Sequence, residues 1–148
     1  MRGNKMKIRI KRIDKELPLP VYKTPGAACV DLYARVETII PARGIGYVPM
    51  NIAVALPDHC VGLVFARSST HKRGLMLGNS VGVLDSDFCG DNDELQCITF
   101  NFTDADIVVE RGFRLCQFMV LQYDHIEFEE VERLSEIDRG GIGSTGNY

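Results

Sequence analysis

The chain has 148 residues, a length that suits one domain with a hydrophobic core of ordinary size. Apolar residues make up 45% and charged residues 25%, and the formal net charge of −3 argues against a nucleic acid or an anionic membrane surface as the main partner. No apolar run is long enough to span a bilayer, and the N-terminus lacks the apolar stretch of a signal peptide.

The cysteine pattern indicates a reducing compartment. There are five cysteines, an odd number, and no CxxC pair among them: Cys29, Cys60, Cys89, Cys97 and Cys116. This spacing fits neither a zinc site nor a disulfide framework, and it gives little support to a catalytic cysteine. We therefore expect reduced, mostly buried thiols and a cytoplasmic location.

Alternation of apolar and polar residues dominates the chain. In chain order, it predicts strands at residues 7–10, 48–56, 61–66, 95–102 and 114–121. Clusters of Gly, Pro, Asn and Asp separate these runs, and helical periodicity is weak throughout. Residues 127–134 (EFEEVERL) fit either a short helical turn or an acidic edge strand. The predicted fold class is all-β, a β-sandwich or jelly roll.

Two segments in the first half of the chain have compositions that a packed β-protein does not need. In residues 25–34 (PGAACVDLYA), a carboxylate at Asp31 is costly to bury unless it is paired; the alternative is that it faces solvent. Residues 66–74 (ARSSTHKRG) offer Arg67, Ser68 and Ser69 as donors to phosphate, or simply form a polar turn with a basic rim.

Two further segments carry polar residues next to apolar strands. In residues 77–91 (LGNSVGVLDSDFCGD), an apolar run delivers Asp85 and Asp87, and a carboxylate there could act as a general base; the alternative is an Asp-rich turn. In residues 111–117 (RGFRLCQ), Gln117 needs a hydrogen-bond partner if it is buried, or lies on an exposed face.

The last ten residues, RGGIGSTGNY, have no apolar periodicity and cannot form a core element. Gly, hydroxyl groups and Arg together suit an anion cradle, although a frayed terminus is the usual state of a chain end. The segment lacks the GK[ST] ending of a P-loop.

The order and spacing of these five segments resemble the motifs of the homotrimeric dUTPase family, from about Pro25 to Gly146. The third and fifth segments are the most specific. The resemblance implies a jelly-roll subunit in a three-fold trimer, with active sites at subunit contacts. It also implies a β domain at residues 1–136 and a C-terminal arm at residues 137–148. In such an enzyme the tail orders on the substrate phosphates as a lid.

The resemblance further implies hydrolysis of dUTP to dUMP and pyrophosphate with Mg²⁺, which limits uracil in DNA and supplies dUMP for dTMP synthesis. Asp85 matches the general base, and Asp31 matches the acid that holds Mg²⁺ through water. The implied substrate contacts are Arg67, Ser68, Ser69 and Gln117 for phosphate, Asn79, Gly82, Val83 and Leu84 for uracil, Phe88 for deoxyribose, and Arg139, Ile142, Gly143, Ser144 and Thr145 in the tail.

The sequence departs from the family pattern at three places. Phe88 stands where Tyr is usual, which keeps the ring that excludes a 2′-hydroxyl. Ile142 stands where an aromatic residue is usual, which removes stacking on uracil and should raise KM. Cys89 replaces a basic or polar residue, and Asp91, Asn92 and Asp93 resemble a short insertion that could weaken triphosphate binding or alter the subunit contact.

Two other functions remain open on the sequence. A dCTP deaminase would share the RSS segment but needs an acid/base group near the nucleobase. A non-enzymatic relative that binds nucleotide or a partner protein would have no need of the Asp85 base. Besides dUTP and copies of the same chain, we expect no stable nucleic acid partner and no membrane.

Overall fold

The computed structural model describes residues 6–138 and 140–141. Its regular structure is almost all β-strand, with one 3₁₀ turn at Thr70–Arg73. The strands are β1 Arg9–Arg12, β2 Val30–Tyr33, β3 Thr38–Ile40, β4 Ile45–Pro49, β5 Ile52–Ala55, β6 Cys60–Ala66, β7 Leu75–Leu77, β8 Gly82–Leu84, β9 Gln96–Asn101, β10 Ile107–Val109 and β11 Arg114–Gln122. The prediction of an all-β, jelly-roll-like fold is confirmed.

The strands form antiparallel sheets that pack around one core. The largest sheet has the order β2-β11-β6-β8, and a second has the order β4-β9-β7. The pairs β1-β5 and β3-β10 complete the layers. Leu32 and Val64 from the first sheet join Val48, Leu75 and Cys97 from the second in the buried cluster. The inner faces of the sheets therefore pack together, and the side chains of the outer faces are available for a functional site.

Strand β11 is one of the two central strands of the largest sheet, and it pairs with β2 on one side and β6 on the other. A β-bulge between Arg114 and Cys116 interrupts its alternation. Leu115 and Cys116 are both fully buried as a result, although they are consecutive. Gln117 then lies on the outer face of the sheet.

The expectation of one strand at residues 48–56 is wrong, because the chain breaks into β4 and β5 at Met50 and Asn51. Asn51 has a φ of 68°, a left-handed conformation that Asn tolerates better than most residues. Its side-chain Nδ2 donates to the Asp14 carbonyl at 3.0 Å, and its Oδ1 accepts from the Asp14 amide at 2.6 Å. These bonds hold the turn, so β4 pairs with β9 and β5 pairs with β1.

Residues 127–134 form neither of the two elements that we expected, since they carry no helix and no strand in this chain. The segment after β11 has no regular secondary structure and is exposed, with Phe128 and Leu134 at 87% and 95% exposure. An apolar side chain left in water in this way indicates a segment without its packing partner. No helix in the described ranges has the length and apolar character needed to cross a membrane.

Candidate active site

Asp31 is the centre of a compact ionic cluster on the outer face of the largest sheet. Arg67 Nε lies 2.8 Å from its Oδ1, and Arg114 Nη1 lies 2.8 Å from its Oδ2. The Asp31 side chain is only 13% exposed. The carboxylate is therefore paired on both oxygens, as its position in an apolar strand requires, and it is not the solvent-facing group of the alternative interpretation.

Strand register explains why distant segments meet here. Asp31 on β2 lies opposite Gln117 on β11, and Gln117 lies opposite Phe65 on β6. Gln117 Nε2 donates to the carbonyl of Ala66 at 3.0 Å, which provides the partner that the sequence demanded. Arg67 follows directly after β6 and therefore reaches Asp31 from the neighbouring strand end.

The turn after β6 is stabilised by the buried side chain of Thr70, which is 5% exposed. The amide of Arg67 donates to Thr70 Oγ1 at 3.0 Å, and that hydroxyl donates to the Leu115 carbonyl at 3.0 Å. Ser68 and Ser69 at the tip are exposed, and neither hydroxyl has a hydrogen-bond partner in the described part of the chain. Their hydroxyls are thus available to an oxygen-rich ligand.

Sequence reasoning missed two residues of this cluster, Arg114 and Thr70. Both lie inside segments that drew attention for other residues. Arg114 could have been found as a basic residue at the start of an apolar strand. Thr70 could not, because its role depends on contact with Leu115, 45 positions away. His71, in the same turn, is exposed.

Asp85 lies at the other edge of the same sheet. Strand β8 pairs with β6 so that Leu84 is opposite Gly62, near the start of β6, and Asp85 follows at once. Asp85 is exposed, and within the described residues its carboxylate has no hydrogen-bond or ion-pair partner. Phe88 in the same loop is 41% exposed and Val83 is 65% exposed. These side chains form an open surface with a free carboxylate.

The chain is close-packed where the turn after β7 leads into β8. A Cβ at Gly82 would lie 3.0 Å from the Cβ of Val64 and 3.6 Å from the side-chain nitrogen of Asn79. A side chain at Gly82 would therefore force Val64 to shift slightly, because β8 approaches β6 closely. Asn79 itself is exposed beside this glycine.

The fold does not bring the two groups together within one chain. Along the direction of β6, the strand register places Asp31 and Asp85 four residues apart. Across the sheet, their strands β2 and β8 are separated by three strand spacings. With about 3.3 Å per residue and about 4.8 Å per strand, the two carboxylates lie roughly 20 Å apart. Arg67 is about as far from Asp85 along β6. One chain thus carries two half-sites at opposite corners of its sheet.

The predicted tail residues Arg139, Ile142, Gly143, Ser144 and Thr145 lie outside the described residues. Among the described residues, no group of three or more His, Cys, Asp or Glu side chains is placed to hold a metal ion.

The cysteine near the cluster is not set up as a nucleophile. Burial raises the pKa of the Cys29 thiol, and the negative charge of Asp31 raises it further. The thiol is therefore protonated at neutral pH. All five cysteines are free, and Cys60, Cys97 and Cys116 are buried.

Comparisons with known proteins identify the family of the chain. The dUTPase family model matches residues 15–146. A deoxyuridine 5'-triphosphate nucleotidohydrolase of Dictyoglomus turgidum is 42% identical over 148 residues, which cover 95% of this chain and 99% of the relative. One of Rickettsia bellii is 36% identical, with 95% and 96% covered.

Solved structures show the same fold. The dUTPase of Streptococcus mutans superposes with a TM-score of 0.74 at 31% identity, covering 80% of this chain and 98% of that chain. The dUTPase of Staphylococcus bacteriophage 80alpha with dUPNHPP superposes with a TM-score of 0.80 at 19% identity, covering 95% and 98%. The second likeness bears on the fold alone.

The fold and the family matches together define an enzyme of nucleotide hydrolysis built on a jelly-roll-like β fold. The chain belongs to the dUTPase family, and its enzyme class is that of the dUTP diphosphatases. The resemblance seen in the five sequence segments is confirmed.

Proposed function

We propose that the protein hydrolyses dUTP to dUMP and pyrophosphate in a homotrimer, with each active site assembled from more than one chain. The observation that carries this proposal is the pair of half-sites. Arginines, serines and a paired carboxylate lie at one corner of the sheet, and the unpaired Asp85 lies at the other.

The first half-site is suited to the triphosphate. Arg67 has guanidinium donors beyond the ones that it gives to Asp31 and to the Arg114 carbonyl. The exposed hydroxyls of Ser68 and Ser69 add neutral donors at the tip of the turn. Phosphoryl transfer depends mainly on positioning and charge neutralisation, which a rigid set of such donors supplies.

Mg²⁺ fits this half-site as an ion held mostly by the phosphates and by water. Asp31 Oδ2 accepts a hydrogen bond from Arg114, and Oδ1 forms an ion pair with Arg67, which leaves each oxygen a lone pair for a water ligand of the ion. Asp31 would therefore hold Mg²⁺ through water. When bound, the ion neutralises phosphate charge and orients the triphosphate.

The second half-site supplies the base. The Asp85 carboxylate is free to accept a proton from the water that attacks the α-phosphorus, with pyrophosphate as the leaving group. The half-exposed ring of Phe88 would pack on deoxyribose and exclude a 2′-hydroxyl. Asn79, Gly82, Val83 and Leu84, in the turn before β8 and in β8 itself, would enclose uracil without space for the methyl group of thymine.

Assembly of the site requires a second chain, because a general base acts within hydrogen-bond reach of its water and not across roughly 20 Å. The outer face of the largest sheet supports such a contact. Its outward side chains between the two half-sites are apolar: Val61, Leu63, Val83, Met119 and Leu121. Val83 and Leu121 are 65% and 43% exposed in the single chain. A closed trimer would bury them.

The segment after β11 has a fitting place on a neighbouring chain. Ile126 and Phe128 alternate with glutamates, and both are more than 70% exposed, at 75% and 87%. A groove of about 670 Å³ beside β1 is lined mainly by apolar residues, including Ile8, Ile10 and Phe118. We infer that the segment crosses to this groove on a second chain.

This crossing would carry the tail to the triphosphate of another chain's site. Residues 137–148 would then act as a lid on the β domain of residues 1–136. Arg139, Ser144 and Thr145 would contact phosphate, with Gly143 allowing the close approach and Ile142 covering the base. The biological role that follows is removal of dUTP and supply of dUMP, in a reducing cytoplasmic compartment where free thiols persist.

Product analysis with four substrates tests the function. The protein is incubated with Mg²⁺ and dUTP, dCTP, dTTP or UTP separately, and pyrophosphate and nucleotides are measured. Pyrophosphate and dUMP from dUTP alone are expected. Formation of dUTP from dCTP would move the function to a deaminase, and no turnover of any nucleotide would favour a binding protein.

Asp85→Asn tests the role of the base. We expect it to abolish turnover and to leave binding of the imido analogue dUPNHPP intact. Asp87→Asn, in the same loop, is the matched control and should keep most of the activity. Equal losses in both variants would contradict the assignment of Asp85.

A further inference from the structure

Residues 85–93 form the loop that carries Asp85 and Phe88, and little of it is buried. Its hydrogen bonds are mostly internal. The Gly90 amide donates to Asp93 Oδ2 at 2.7 Å, and the Asp93 amide donates back to the Gly90 carbonyl at 3.1 Å. The insertion at residues 91–93 thus closes a small turn on itself. Such a turn needs an external contact if it is to hold one position on the surface.

Lys11 on β1 provides that contact. Its Nζ donates to the carbonyl oxygen of Asp91 at 3.0 Å and lies 3.5 Å from Asp91 Oδ1. Among the hydrogen bonds and ion pairs of the described residues, this is the one link from residues 85–93 to another element. Lys11 is itself held in place, because β1 pairs with β5 and Lys11 lies opposite Ala53.

The residues around Lys11 also indicate a direct contact between β1 and the loop. Lys11, Cys89, Gly90 and Asp91 line a shared cleft of about 200 Å³ against β5. Lys11 lies between Ile10 and Arg12 on an alternating strand, so it faces away from the apolar groove that Ile8 and Ile10 line. Its contact with the loop is therefore separate from the proposed docking of the C-terminal segment.

We propose that Lys11 is a positioning residue that fixes the positions of Asp85 and Phe88 through its hydrogen bond to Asp91. This inference rests on the proposed dUTP hydrolysis. The acidic residues of the insertion then have a structural use: Asp93 closes the turn and Asp91 ties it to β1. A hydrogen bond from a charged donor to a carbonyl is stronger than a neutral one, although the 46% exposure of Lys11 weakens it.

Lys11→Met tests the proposal, with Lys15→Met as the control. Lys15 is exposed in the same N-terminal segment, and its side chain makes no hydrogen bond or ion pair within the described residues. Both variants remove one positive charge. We expect Lys11→Met to lower kcat/KM for dUTP about three- to tenfold and to reduce the preference for dUTP over UTP, with Lys15→Met unchanged.

Two measurements separate positioning from a general loss of stability. Lys11→Met should unfold at the temperature of Lys15→Met, and its amides at residues 88–93 should exchange faster with solvent. Lys11→Arg, which can still reach the Asp91 carbonyl, should restore most of the activity. Asp91→Asn, which keeps the carbonyl, should lose less than Lys11→Met does.

The inference is overturned if the wild type hydrolyses dUTP and Lys11→Met matches Lys15→Met in kinetics and in amide exchange. A wild type without dUTP hydrolysis would instead refute the proposed function. In that case the exchange comparison alone decides whether Lys11 holds the loop.

Discussion

Replacing Asp31 with Asn should destabilise the protein far more than an exposed substitution of the same kind. The change keeps the shape of the side chain, removes its charge, and leaves Arg67 and Arg114 facing each other. An ion pair with charges about 4 Å apart is worth roughly 4 kcal/mol at an effective dielectric constant of about 20. Exposure of 23% for Arg67 and 40% for Arg114 reduces this, as does the desolvation that the pairs already incur.

We therefore expect Asp31→Asn to lower the free energy of unfolding by about 2 to 3 kcal/mol. Urea unfolding at one fixed protein concentration measures it, because unfolding and dissociation are coupled in an oligomer. Asp104→Asn is the control. Asp104 pairs with Arg43 at the same 2.8 Å, but the two side chains are 86% and 61% exposed. It should cost less than about 0.5 kcal/mol.

The comparison tests whether burial, and not distance, decides the strength of these pairs. Equal losses at Asp31 and Asp104 would refute the reasoning. So would a loss at Asp31 of less than about 0.5 kcal/mol, the range expected of a surface pair.

Three further predictions concern the β body. Arg111 donates to the Asp14 carboxylate and holds its pKa below the ordinary value of 3.8, so Asp14→Asn should lower Tm at pH 7. The difference in Tm between wild type and variant should shrink as acid protonates the wild-type carboxylate. A difference that stays unchanged near pH 3 would contradict this. Asn51→Ala removes two bonds to Asp14 and strains a φ of 68°, and should cost about 2 to 3 kcal/mol in urea unfolding, with Asn51→Gly recovering the strain part. Gly62→Ala places a Cβ 2.7 Å from Phe118 Cε2 and should cost about 1 to 3 kcal/mol, which a smaller residue at Phe118 should partly relieve; full stability in the single variant would show that β11 yields freely.

Alternation located the main strands well. The predictions at residues 61–66, 95–102 and 114–121 correspond to β6, β9 and β11, because each of these strands buries one face against the core. The break at Asn51 was not predictable, since it depends on hydrogen bonds to Asp14, 37 positions earlier. Nor was the bulge that buries Leu115 beside Cys116.

The candidate site was predicted in its residues and not in its contacts. Asp31 stood out because a carboxylate in an apolar strand needs a partner. The partner Arg114 is 83 positions away, and only the pairing of β2 with β11 brings the two together. Likewise, the sequence marks Lys11 as one basic residue among several, and its contact with Asp91 appears only once β1 is placed beside the loop.

The separation of Asp31 from Asp85 has a consequence for mixtures of chains. If each active site takes its Asp31 from one chain and its Asp85 from another, two variants that are each inactive can repair one another. Trimers assembled at random from equal amounts of Asp31→Asn and Asp85→Asn chains would contain some sites that receive both native carboxylates. About a quarter of all sites would do so, since each of the two positions is native with a probability of about one half. A variant chain that is inactive by itself would then still contribute to activity in a mixed trimer with a chain that carries a different inactivating substitution.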